Sequence, residues 1–253
     1  MNGANSELSK NQDLCPPPIP TPGPSSVNYF AHGRRFIDDP YFLAGTAVPD
    51  WLNVVDRRVR VRGKHAQVYA NDPDPRLAAL ARGIAQHHHD DGWFHSTAAF
   101  AELSWRLTVR IRDALAPDDG LRPSFLGHIL VEILLDAVLI AEEPARLEAY
   151  YAAMQTLDAE FVQAGVNRMA PQASDRLALL LPRFSRERFL FDYADDENLC
   201  YRLNQVLRRV KLAVLPDEFR GLLPEARREV AERKSALLEE VGSGSGLVEN
   251  KKN

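Results

Sequence analysis

The segment 125–141 (FLGHILVEILLDAVLIA) is almost wholly aliphatic, and its three ionisable residues are His128, Glu132 and Asp136. They recur every four residues, so on a helix they form one stripe. A helix this apolar has little polar surface to give to water and has to be surrounded by other elements. Burying three ionisable groups with it costs several kcal/mol unless something compensates. A bound metal ion is the most economical compensation. At this length, and with these three residues aboard, the segment reads as a buried core helix and not as a membrane span.

The remaining periodicity is helical as well. Apolar positions at three- and four-residue spacing predict helices over 76–95, 98–115, 123–140, 144–164, 174–181, 197–214 and 225–241, with Pro123 and Pro224 in first-turn positions. Only 54–61 (VVDRRVRV) alternates like a strand, and 44–51 (AGTAVPDW) reads as a small-residue turn ending in an acid. No internal repeat is present. The expected class is all-α: a single helical bundle over 27–241, after a disordered Pro-rich leader (1–26) and before a flexible Gly/Ser tail (242–253).

Composition excludes several functions. The net charge of −4, from 31 basic and 35 acidic residues, gives no positive field for nucleic acid. Two cysteines, Cys15 and Cys200, make no disulfide framework, and no apolar segment follows the initiating Met, so a cytoplasmic protein is expected.

Six of the seven histidines fall in three segments, 28–32 (NYFAH), 87–95 (HHHDDGWFH) and 128–136 (HILVEILLD). His87, Asp91 and His95 lie at i, i+4 and i+8, and His88, Asp91 and His95 at i, i+3 and i+7. Either trio turns two imidazoles and a carboxylate to one side, a set suited to Zn, Mn or Fe. His89 and Asp90 fall on the opposite side and are expected to be exposed. His32 taken alone is an ordinary core or capping histidine, and Asp50 taken alone an ordinary N-cap. Brought together with two striped helices, both join a ligand pool of His32, Asp50, His87, His88, Asp91, His95, His128, Glu132 and Asp136, able to enclose one or two ions.

The order of NYFAH, then GTAVPDW, then Gly83-Ile84 ahead of a His/Asp-rich helix, then an apolar helix ending in Leu-Leu-Asp resembles the acyl carrier protein phosphodiesterase family. The likeness runs from about Asn28 to Val210. Proteins of that family are helical, are related to HD-domain phosphohydrolases, and release phosphopantetheine from a carrier-protein serine with a divalent metal, typically Mn. Carried over by position, the resemblance puts His32, Asp50, His87, Asp91 and Asp136 on family His and Asp positions. Three departures stand out: His95 replaces a carboxylate, Ala137 replaces a His, and His128 is extra.

The resulting expectation is a metal-dependent phosphodiesterase or phosphatase with an HD-domain-like bundle. Manganese is the first metal, with iron, zinc or magnesium as alternatives. Metal-bound hydroxide is the nucleophile, Asp91 and His95 carry the catalysis, and Arg183, Arg186 and Arg188 neutralise the phosphate. The expected partner is a phosphoester, a phosphopantetheinylated carrier protein in the first place, with no nucleic acid and no membrane. The alternative is a helical scaffold that keeps the same residues as a buried polar network.

Overall fold

The structure is a computed structural model that describes residues 28–116 and 120–239. Both the expected leader and the expected tail lie outside the described residues. Among the described residues every regular element is helical and none is a strand, as the periodicity predicts.

The aliphatic segment forms helix α6 (Pro123–Glu142), opened by Pro123 in its first turn, and thirteen of its residues are buried. It packs against α1 (Tyr29–Gly33), α5 (Ala98–Ala114), α7 (Pro144–Gln155) and α11 (Leu223–Leu238). By length and mean hydropathy, 2.0 over its best 18 residues, α6 is apolar enough to cross a membrane, but 72% of that window is buried inside the fold. It is the core helix of this bundle.

A second pair of helices builds the other wall. The stretch read as a turn at 44–51 lies inside helix α2 (Pro40–Val55). Pro40 occupies the first turn, Asp39 caps the start by accepting the Phe42 N–H at 3.1 Å, and Pro49 is held within the helix. Helix α2 runs along α4 (Pro75–Ser96) at very short range. A Cβ on Gly45 would lie 2.4 Å from the Leu80 carbonyl oxygen, and one on Gly83 2.1 Å from that of Phe42. Only two glycines facing each other allow this approach, and the small residues that suggested a turn serve helix packing instead.

Other boundaries differ for local reasons. Of the strand expected at 54–61, Val54 and Val55 end α2 and the rest is a link: Val59 and Val61 point inward and Arg60 and Arg62 outward, but no strand lies alongside among the described residues. It leads into α3 (Gly63–Gln67). The helix expected over 144–164 is two helices, α7 and α8 (Ala159–Met169), because Asp158 caps a new start by accepting the Phe161 N–H at 3.0 Å. Helix α9 (Leu177–Glu187) runs through Pro182 and stops at Arg188, whose φ of 46° ends it in the left-handed region. Helix α10 (Asp196–Arg209) is shorter than the expected 197–214, the chain turning out at Lys211 with φ 60°.

Candidate metal centre

Four helices bring the histidine and acidic residues together, and each places its share for a local reason. The short helix α1 presents His32. Its first backbone N–H groups would be unpaired at such a terminus, and Asp136 of α6 accepts two of them, Phe30 N–H at 2.9 Å and Ala31 N–H at 2.7 Å. Asp136 thus spends both oxygens on holding the turn that carries His32. Burial pushes its carboxyl up to about 8, against the opposing pull of those two N–H groups.

Helix α4 supplies His87, Asp91 and His95 from one face. The Nδ1 of His87 donates to the Thr46 carbonyl of α2 at 2.8 Å, which leaves its Nε2 as the atom able to ligate. The Nδ1 of His32 faces Asp90 Oδ2 at 3.8 Å, and its Nε2 is buried with no hydrogen-bond partner among the described residues. The two rings lie 4.4 Å apart, and with Asp91 they offer three ligand atoms within 4.8 Å of one another. Burial, together with the neighbouring His32, pulls His87 down to about 3, so it stands there as the neutral ligating form.

A second trio lies beside the first. His95 Nε2 is 2.8 Å from Glu132 Oε1 and His128 Nε2 is 3.1 Å from the same oxygen. These three also offer ligand atoms within 4.8 Å. Phe100 packs against both imidazoles at 4.6 and 4.9 Å. Burial lowers His95, but its hydrogen bonds to Asp91 and Glu132 outweigh this and take it up to about 10. Glu132, wholly buried, is raised by burial and brought below its ordinary value by His128 and His95. The trios touch where His95 Nδ1 meets Asp91 Oδ1 at 3.4 Å.

Asp50 is 2% exposed, and neither of its oxygens has a hydrogen-bond partner among the described residues. Burial holds its carboxyl well above the ordinary range, and the charges of Glu132, Asp91 and Asp136 push the same way. Asp50 therefore feels a carboxylate from each trio and no compensating cation among the described residues.

Of the nine expected ligands, six form the two trios, and Asp50 lies near enough for an acid of each trio to act on it. Asp136 is turned to the α1 backbone, and His88 Nε2 bonds the Val61 carbonyl at 2.7 Å. Asp90, expected on the far side of α4, turns toward His32 and accepts from Gln86 at 2.7 Å; His89 is exposed as expected. The signal for Asp90 was its place three residues after His87, on the same helical face. The three arginines do not line one surface. Arg183 pairs with Glu187 and borders one cavity, whereas Arg186 and Arg188 border another, Arg188 paired with Glu148.

The centre is buried on one side and open on the other, where Asp91 and His128 each keep a quarter of their side chain exposed. The fold and the site define an all-α protein with paired His/carboxylate clusters of N and O donors that could hold metal. Comparison with protein-family models, with curated proteins and with solved structures finds no match. The geometry of the centre therefore carries the functional argument.

Proposed function

We propose that this chain is a metal-dependent phosphoester hydrolase. The observation that carries the reading is the buried, unpartnered Nε2 of His32 within the trio of His32, His87 and Asp91, with Asp50, a buried acid lacking hydrogen-bond partners among the described residues, near enough for Asp91 and Glu132 to act on it. An uncompensated group of this kind is expensive in a protein interior, and a coordinated cation relieves it.

Residues from both trios suit divalent ions. His32, His87 and Asp91 make one donor set, and His95, His128 and Glu132 make another, with Asp91 in reach of both. Imidazole with carboxylate favours Mn, Fe or Zn over Mg, which takes oxygen ligands. Such ions supply Lewis acidity and lower the pKa of water toward neutrality. The chain supplies the rest. Asp90 and the Thr46 carbonyl fix which nitrogen each imidazole offers. Asp136 holds the turn bearing His32. Whichever of Asp91, at the open edge, and His95, beside it, does not ligate is placed to move a proton to or from solvent.

The resemblance to acyl carrier protein phosphodiesterases gives the first substrate to try, a phosphopantetheinylated carrier protein. An HD-domain-like arrangement and manganese belong to the same reading. The scaffold alternative draws on one observation, that Glu132, His95 and His128 already satisfy one another. Elemental analysis of untagged protein, with His32→Ala and His128→Ala alongside, separates the two. Near-stoichiometric Mn, Fe or Zn that falls in both variants supports the hydrolase. Wild-type protein that stays metal-free after loading, with an unchanged melting temperature in chelator, removes it.

A further inference from the structure

A cavity of about 370 Å³ opens between α1, α2, α9 and α10, and none of the nine candidate ligands lines it. Its size is within the range of small-molecule sites. Tyr29, Trp51, Phe184, Phe189 and Tyr193 form an aromatic floor. Their rings pack on one another, Trp51 against Phe184 at 5.2 Å and Tyr29 against Phe184 at 5.4 Å. Buried Trp51 keeps its indole Nε1 without a hydrogen-bond partner among the described residues.

The rim is cationic, although the chain as a whole is acidic. Four arginines line the cavity against one carboxylate, Glu187. Arg183 pairs with that Glu187, and Arg202 pairs with Asp192. Arg208 and Arg209, in the last turn of α10, have no acidic partner among the described residues. The carbonyl end of α10 accounts for a basic last turn in general. It does not account for both side chains bordering an aromatic recess. Arg209 is close enough to Tyr29 for its charge to act on the phenol.

We propose that this cavity binds an organic anion with a flat apolar body, its rings stacked on the aromatic floor and its head held by Arg208 and Arg209. A flat body suits a floor made of aromatic faces and edges. Guanidinium forks suit a carboxylate or a tetrahedral oxyanion head, phosphate or sulfonate, and the two heads are told apart below. The inference does not depend on the metal reading.

Calorimetric titration of the full chain with naphthalene-1-sulfonate, 1-naphthoate and the neutral 1-naphthalenemethanol tests it. The expected result is one saturable site per chain for at least one anion and much weaker binding of the alcohol. Preference for the sulfonate identifies a tetrahedral head, and preference for the naphthoate a planar one. The Arg208→Gln/Arg209→Gln variant, altered at exposed positions, should weaken binding about tenfold or more, the loss expected for a charge-assisted hydrogen bond. Val54→Trp, which fills the cavity from α2, should abolish binding while the melting curve stays cooperative. His32→Ala should bind as wild type does. Absence of binding by both anions, equal binding of the alcohol, unchanged affinity in the arginine variant, or loss of binding in His32→Ala would each overturn the proposal.

Discussion

His95, His128 and Glu132 complete one another, each imidazole directed at one glutamate oxygen, whereas the trio of His32, His87 and Asp91 holds a nitrogen, His32 Nε2, that nothing in the described chain satisfies. The two trios use the same residue types at nearly the same spacing. The difference lies in their neighbours. In the first trio the outer nitrogens are already engaged, His87 with Thr46 and His32 facing Asp90, so the inner ones are left for something else. In the second, the carboxylate lies between the imidazoles and is itself the partner. A polar cluster that closes on itself can serve structure alone. One that leaves donors turned inward argues for a ligand.

The comparison can be broken most forcefully at Glu132. Glu132→Ala removes the acid that joins two imidazoles and should cost about 3 kcal/mol in metal-free protein, as breaking a buried pair does; urea denaturation reads it. The same truncation at His32 should cost clearly less there. Equal losses would mean that the trios are not satisfied differently. Next in size is metal removal from wild type. An ion held at one hundred times its dissociation constant contributes about 2.7 kcal/mol, so chelation should lower the melting temperature by about 5–10 °C. His87→Ala should abolish most of that shift, and a shift that survives it would assign the ion to the second trio alone.

A smaller effect separates holding from ligating. Asp136→Asn keeps the shape but leaves one α1 N–H without its acceptor, a loss of about 1–2 kcal/mol. Metal stoichiometry should stay intact once the fold is saturated with ion. Loss of one whole ion would restore Asp136 to the ligand set. The smallest change has the opposite sign. Asp50→Asn replaces a buried acid by a neutral isostere and should raise metal-free stability by about 0.5–1 kcal/mol, while weakening metal binding in calorimetry. A destabilised metal-free variant would show that Asp50 has a partner after all.

Much of this arrangement is legible in the sequence. The four-residue stripe of His128, Glu132 and Asp136, the start of α6 at Pro123, and the shared face of His87, Asp91 and His95 follow from helical geometry, which is local. What was hidden is non-local. Residues 44–51 read as a turn because Gly45 and Pro49 are poor helix residues by propensity, and only the facing Gly83 explains why a glycine is needed there. Alternation at 54–61 showed which valines turn inward but not whether a second strand would be present. From the sequence Asp136 fits a ligand as well as a structural acid, and the two α1 amides that claim it are more than a hundred positions away. The arginine-rimmed cavity draws on several separate helices, and no spacing rule points to it.

The Gly45–Gly83 contact has a mechanical consequence. Where helices are kept apart by interlocking side chains, their separation can be retuned by exchanging one aliphatic residue for another. Here backbone rests on backbone one helical turn from the Thr46–His87 bond, and there is nothing softer between them to compress. The gauge of the centre is therefore fixed by two missing side chains, and drift in the surrounding aliphatics can alter how long the protein lasts without altering how wide its donors stand.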